Sequence, residues 1–101
     1  MTLQEIKKLI ERGRYRFSQK VYELIEDGFF DLEDLEHCIL TAQEVQKRER
    51  DERKEAIHGM KFIILGVDTR GLPFYTVGKV RQGPDGQHYY FITAHQAGER
   101  P

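Results

Sequence analysis

The chain has 101 residues, a net charge of −1 and 33% charged side chains, which suits one small globular domain. Its single cysteine, Cys38, excludes an internal disulfide framework. The polar N-terminal stretch lacks the basic start and apolar run of a signal peptide, and the longest apolar run, residues 62–65, is too short to cross a bilayer. We therefore expect a cytoplasmic protein with no membrane partner.

Three helices are predicted within about residues 2–42. Each begins at a side chain that can cap a helix, and the first two end at a glycine. The capping residues are Thr2, Ser18 and Asp31, and the glycines are Gly13 and Gly28. The charged segment 43–56 that follows is compatible with a solvated helix, an edge strand or a mobile loop, and its periodicity does not decide between them.

The second half of the chain changes to β-forming residues. Strands are predicted at about 60–67, 73–81 and 88–94, separated by turn signals at 68–71 and 82–86. Short turns between consecutive strands indicate an antiparallel meander. The fold class is therefore α+β, one domain over 1–101, with N-terminal helices packed on a curved, three- to four-stranded antiparallel sheet at about 60–95. The predicted core includes Leu24, Ile25, Leu35, Ile39, Ile63 and Leu65.

Basic and aromatic residues alternate just before the second predicted helix. Arg12, Arg14, Arg16 and Lys20 follow one another with no acid between them, interleaved with Tyr15 and Phe17. Such a segment can hold a phosphate backbone while its rings stack on bases. The competing interpretation, which we favour, is a basic connector whose aromatic rings face the core.

Three stretches resemble a prokaryotic family, domain of unknown function 4258. They are residues 17–21, the pair of predicted strands around residues 66–77, and residues 92–95, so the resemblance runs from about residue 15 to residue 97. That family is similar in layout to the RelE and BrnT toxins, which are small RNA-directed ribonucleases. The resemblance implies a RelE-like fold, RNA or the ribosome as target, and a cognate antitoxin as partner.

The chain departs from the family pattern at three positions. Lys20 stands where the family has a histidine, Leu72 where it has an arginine, and His95 where it has a tyrosine. If the family histidine and arginine take part in the chemistry, this chain has replaced both. A non-catalytic binding module and an antitoxin-like partner therefore stay open beside the toxin-like interpretation.

RNA cleavage through the 2′-hydroxyl needs a base, an acid and a cation, but no metal. The candidate catalytic residues are His95, Lys20, Lys79 and Arg81, and the candidate substrate-binding residues are Arg14, Arg16, Tyr75 and His88. Period-two spacing places Tyr75, Lys79 and Arg81 on one face of their strand. The competing interpretation is that they form the solvent face of a half-covered sheet. No spacing typical of metal ligands or of a cofactor loop is present, so we expect neither metal nor cofactor.

Overall fold

The computed structural model describes residues 1–97. Within them lie three α-helices, one short 3-10 turn and five strands. The helices are α1 (Leu3–Glu11), α2 (Gln19–Glu26) and α3 (Leu32–Thr41). The strands are β1 (Tyr15–Phe17), β2 (Val45–Arg50), β3 (Met60–Val67), β4 (Pro73–Gly83) and β5 (Gly86–Gln96).

The helices begin where their capping residues predict. The Thr2 hydroxyl accepts from the backbone N–H of Glu5, and the Ser18 hydroxyl accepts from that of Val21. The backbone N–H of Asp31 donates to the carboxylate of Asp34 at 2.9 Å. These contacts are local in sequence, so the residue types alone predict them.

The sheet is larger than the three to four antiparallel strands predicted, and it is mixed. Its order is β1-β5-β4-β3-β2, with β1 parallel to β5 and the remaining pairs antiparallel. The central meander β3-β4-β5 confirms the predicted strands, and β4 and β5 extend beyond them. The prediction of a purely antiparallel sheet is wrong because β1 is a three-residue strand whose partner lies more than 70 residues along the chain.

The charged segment 43–56 contains an edge strand followed by a loop. Strand β2 pairs with β3 at one edge of the sheet, and residues 51–56, called here the 51–56 loop, lead into the 3-10 turn Ile57–Gly59. Charged side chains on an edge strand discourage pairing with another chain.

The helices pack on one face of the sheet, called here the covered face. Buried residues from all three helices, such as Ile6, Val21 and Leu35, join one apolar core with Ile64 and Phe91 of the sheet. The opposite side, which bears Lys79 and Arg81, is called the open face. None of the helices in the described part of the chain has the length and apolar character needed to cross a bilayer.

Two predicted core residues, Ile63 and Leu65, are wrong because the neighbouring positions of β3 face the core instead. Leu35 and Ile39 are fully buried, and Leu24 and Ile25 are partly buried against the core. In β3, however, Ile64 faces the core together with Phe62, Ile63 is only partly buried, and Leu65 is 42% exposed on the open face. The run 62–65 is apolar at every position, so alternation of polarity does not indicate which side chains point inward.

A β-bulge in β5 changes which residues share a face. The register runs from Val77–Thr93 to Gly78–Phe91, so Ile92 is an extra residue without a partner on β4. As a result Tyr89 and Phe91 point into the core, and so does Ala94, whose position has the opposite parity. The bulge thereby places His95 on the open face, opposite Tyr75.

Candidate functional site

The predicted site residues on the open face form two groups, and the first of these also includes Tyr90. One group, called the basic end, consists of Arg16, Lys79, Arg81, His88 and Tyr90. The other, called the aromatic end, consists of Tyr75 and His95. In the sheet register Lys79 lies opposite Tyr90, and Arg81 opposite His88. Arg16 of β1 pairs with Tyr90 from the other side, so adjacent strands bring all five together.

Lys79 is a buried cation with two carboxylate partners. Its side chain is 2% exposed, and its ammonium lies 3.1 Å from Asp51 Oδ1 and 2.8 Å from Glu55 Oε1. Removing a charge from water is costly unless it is paired and hydrogen-bonded, and both conditions are met here. In this arrangement the Lys79 ammonium is fully paired with carboxylates of the protein itself.

Asp51 anchors the loop that covers Lys79. Its carboxylate accepts backbone N–H groups from Arg53, Glu55 and Ala56 at 2.8–3.3 Å, in addition to the Lys79 ammonium. Burial opposes ionisation of Asp51, but the bonds from the Ala56 amide and the Lys79 ammonium outweigh it, so the pKa of Asp51 is lowered. The Asp51 carboxylate thus organises the 51–56 loop and balances the buried cation.

Arg81 is held flat by its neighbours. Its guanidinium lies 3.7 Å from the centre of the Tyr90 ring, and its Nε donates to His88 Nε2 at 3.2 Å. One further guanidinium nitrogen lies 3.8 Å from Glu55 Oε1. A guanidinium stacked on a ring keeps its edge free for hydrogen bonds in the ring plane, the geometry that suits phosphate or carboxylate oxygens.

His88 is a neutral partner of Arg81. The residue is 5% exposed, and because Nε2 accepts from Arg81, the proton of the neutral ring is assigned to Nδ1, which has no hydrogen-bond partner within residues 1–97. Burial, followed by the charges of Arg81, Arg16 and Arg14, lowers the pKa of His88. The imidazole therefore orients Arg81 and is closed to substrate.

The basic end borders a shallow pocket of about 340 Å³ beside the 51–56 loop. Three carboxylates and four lysine or arginine side chains line it, together with Tyr90, Ser18 and Ile92. With Arg16 beside it, the charge at this end is positive, although the chain as a whole carries −1.

The aromatic end is a separate contact. The rings of Tyr75 and His95 lie 5.5 Å apart between centroids, and His95 Nε2 is 3.2 Å from the Thr93 hydroxyl. Tyr75 and Lys79 are four residues apart on β4, or about 13 Å at the usual rise of a strand. The structure therefore places His95 on the same face as Lys79 and Arg81 but does not bring it to them.

Two further predicted residues lie outside both groups. Lys20 is exposed in the first turn of α2, does not line the pocket, and forms no ion pair within residues 1–97. Arg14 donates to the backbone carbonyls of Gln87 and Asp85 at 3.0 and 2.5 Å, so it holds the β4–β5 hairpin. Tyr15 and Phe17 pack against the core, as the connector interpretation expected, and only Arg16 of β1 points outward.

Two residues that contact the basic end were missed from the sequence. Asp51 and Glu55 contact Lys79 across 28 and 24 positions, and both belong to a segment in which nearly every residue is charged. No local pattern distinguishes them there. Only their contact with Lys79 of β4 distinguishes them, and that contact forms only when the chain folds.

Metal binding and thiol chemistry have no support in the described residues. No group of three His, Cys, Asp or Glu side chains within residues 1–97 is arranged to hold a metal ion. Cys38 is fully buried in the core, and burial raises the pKa of its thiol to about 12. A neutral thiol without access to solvent is a poor nucleophile.

Comparison of the chain with protein-family models, with curated proteins and with solved structures finds no match. The resemblance to the 4258 family and to RelE-like toxins therefore rests on three short stretches of sequence alone, residues 17–21, 66–77 and 92–95.

Proposed function

We propose that this chain is a small RNA-binding module that holds single-stranded RNA against the open face of its sheet. The observation that carries the proposal is the arrangement of Arg81, which lies flat on Tyr90, is fixed by His88 and has Arg16 across Tyr90 on the neighbouring strand. Two guanidiniums and an aromatic ring on one accessible surface are suited to a phosphate and its base.

The aromatic end supports a single strand as the ligand. Unpaired bases stack on accessible aromatic rings, whereas bases within a duplex do not present their faces. The Tyr75 and His95 rings are in contact and partly exposed. The two ends are about 13 Å apart along β4. A short stretch of RNA that spans this distance would contact the basic end through a phosphate and the aromatic end through a base.

The geometry favours binding over cleavage. General acid–base catalysis requires its groups within hydrogen-bond reach of one reacting phosphate. His95 lies at the aromatic end, the Lys79 ammonium is taken up by two carboxylates, and His88 is buried with its Nε2 bonded to Arg81. The resemblance to toxins supports RNA as the ligand class, and the altered residues at positions 20, 72 and 95 agree with a non-catalytic role.

The test is fluorescence anisotropy with a labelled single-stranded RNA at several salt concentrations. The parent is compared with a double variant, Arg16→Gln/Arg81→Gln, and with a matched control, Arg50→Gln/Arg70→Gln. The control residues are exposed and lie on β2 and in the β3–β4 turn. Both variants lose the same charge, so the comparison isolates position from net charge.

The expected result is a loss of affinity confined to the first variant. The slope of log affinity against log salt should also become shallower by about 0.7 for each phosphate contact removed. Equal loss in both variants would contradict a defined site. Cleavage of the RNA by the parent, abolished in His95→Ala, would contradict the non-catalytic assignment.

A further inference from the structure

We propose that the position of Glu55 Oε1 is an oxyanion subsite for a phosphate of the bound RNA, and that Glu55 fills it as an internal competitor in the free protein. The inference rests on the proposed RNA-binding function and goes beyond it, because it gives Glu55 the role of opposing RNA binding. Glu55 comes from the loop beside the sheet, whereas the cations it contacts belong to β4.

The geometry places one oxygen between two cations. Glu55 Oε1 lies 2.8 Å from the Lys79 ammonium and 3.8 Å from Arg81 Nη1. An oxygen held by an ammonium and a guanidinium is in the environment that a phosphate oxygen takes in a protein site. The Glu55 carboxylate, whose pKa is lowered first by its hydrogen bond to Lys79, is ionised at neutral pH and mimics that oxygen.

Lys79 does not need Glu55 to remain paired. Asp51 already contacts the ammonium through both carboxylate oxygens, at 3.1 and 3.3 Å, and is itself almost completely buried. The loop is also anchored by the Asp51 carboxylate, which binds the Glu55 backbone N–H. The Glu55 side chain can therefore leave while the loop and the Asp51–Lys79 pair stay in place.

The exposure of the Glu55 side chain and the charges around it would allow a phosphate to replace its carboxylate. The Glu55 side chain is 43% exposed, in contrast to 2% for Lys79 and Asp51. Four charged groups meet here, two carboxylates against Lys79 and Arg81, and a phosphodiester carries the same single negative charge as Glu55. Exchange leaves the buried charges balanced, so it avoids an unpaired ion.

The experiment compares Glu55→Gln with a matched variant, Glu52→Gln. Glu52 lines the same pocket from the same loop and forms no ion pair within residues 1–97, so its loss changes net charge equally. Affinity for labelled single-stranded RNA is measured by anisotropy. In parallel, the rise in melting temperature caused by inorganic phosphate is measured for both variants and the parent.

We expect Glu55→Gln to bind the RNA about three- to tenfold more tightly than Glu52→Gln, because a competing charge in direct contact with the cations is gone. If the parent binds RNA and the two variants bind it equally, the subsite is overturned and the proposed function stands. If no protein binds RNA but phosphate stabilises Glu55→Gln more than Glu52→Gln, the proposed function is overturned and the subsite stands for another oxyanion. If no protein binds RNA and phosphate stabilises the two variants equally, both proposals are overturned.

Discussion

The two faces of the sheet are built from alternate residues of the same strands, yet they are stabilised by different forces. Val80 and Lys79 are neighbours in β4 and are both buried. Val80 packs into the apolar core beneath the helices, whereas Lys79 is enclosed by a charged loop and two carboxylates. Burial on the covered face is mainly nonpolar and uses no ion pair comparable to the Asp51–Lys79 pair. Burial on the open face depends on ion pairs, and a charged ligand can take the place of one partner in such a pair.

The largest effect should come from breaking the buried ion pair on the open face. Lys79→Met keeps the length and apolar part of the side chain but leaves Asp51 without its cation. We expect the free energy of unfolding to fall by about 3–5 kcal/mol, the usual cost of one partner lost from a buried pair. Chemical denaturation measures it, with Lys61→Met as control, since Lys61 lines the same pocket and forms no ion pair within residues 1–97. Equal midpoints for the two variants would show that the pairing contributes nothing.

A pair of adjacent residues on β3 tests the assignment of faces. Ile64 is fully buried under the helices, and Leu65 is 42% exposed on the open face. We expect Ile64→Ala to cost about 2–5 kcal/mol of stability and Leu65→Ala less than about 1 kcal/mol, because only the first leaves a cavity. Thermal and urea unfolding of both variants give the comparison. A larger loss for Leu65→Ala would mean that the strand is in the opposite register.

The pH dependence of stability should show a smaller contribution from His88. Its pKa is lowered in the folded protein, so as the pH falls below about 6.5 the unfolded chain takes up a proton that the folded chain resists. Stability is therefore lost as the pH falls from the unfolded towards the folded pKa. Urea midpoints between pH 7.5 and 5 should fall in the parent and less so in His88→Gln. His95→Gln, which removes an imidazole farther along the same strand, should retain the His88 contribution.

A second loss of stability is expected at lower pH. The pKa of Asp51 is lowered in the folded state, so its contribution is complete above the ordinary value of 3.8 and disappears as the pH falls through the folded value. Stability should therefore fall in two steps on acidification, and Asp34 and Glu5, whose pKa values are also lowered and which lie outside the open face, contribute to the second step. Measurement of the urea midpoint below pH 5 separates the carboxylate step from the histidine step.

What the sequence predicts well is local. Helix starts at Thr2, Ser18 and Asp31 depend on contacts three residues away, and the central strands follow from β-forming runs between strong turns. Period-two spacing also placed Tyr75, Lys79 and Arg81 on one face as the structure has them.

What the sequence does not predict depends on partners distant along the chain. Strand β1 exists because it pairs with β5, and the face of His95 depends on the bulge at Ile92. The pairing of Asp51 with Lys79 joins a charged segment to a strand 28 residues away. Each of these features requires the assembled sheet, and together they decide which candidate residues meet. His95 and Lys20 were predicted as catalytic residues from their residue types. The structure instead places Asp51 and Glu55 beside Lys79 and Arg81.

The most direct test of the account is to observe the arginine side chains while RNA is added. In NMR spectra of the labelled protein, the Nε–H resonances of Arg16 and Arg81 report on the basic end, and that of Arg70 reports on the β3–β4 turn away from it. Titration with single-stranded RNA should shift the Arg16 and Arg81 resonances and the Tyr90 ring together, in a saturable manner, and leave Arg70 unchanged. Shifts confined to Arg70 or to the helices, with Arg16 and Arg81 unchanged, would contradict a binding site on the open face.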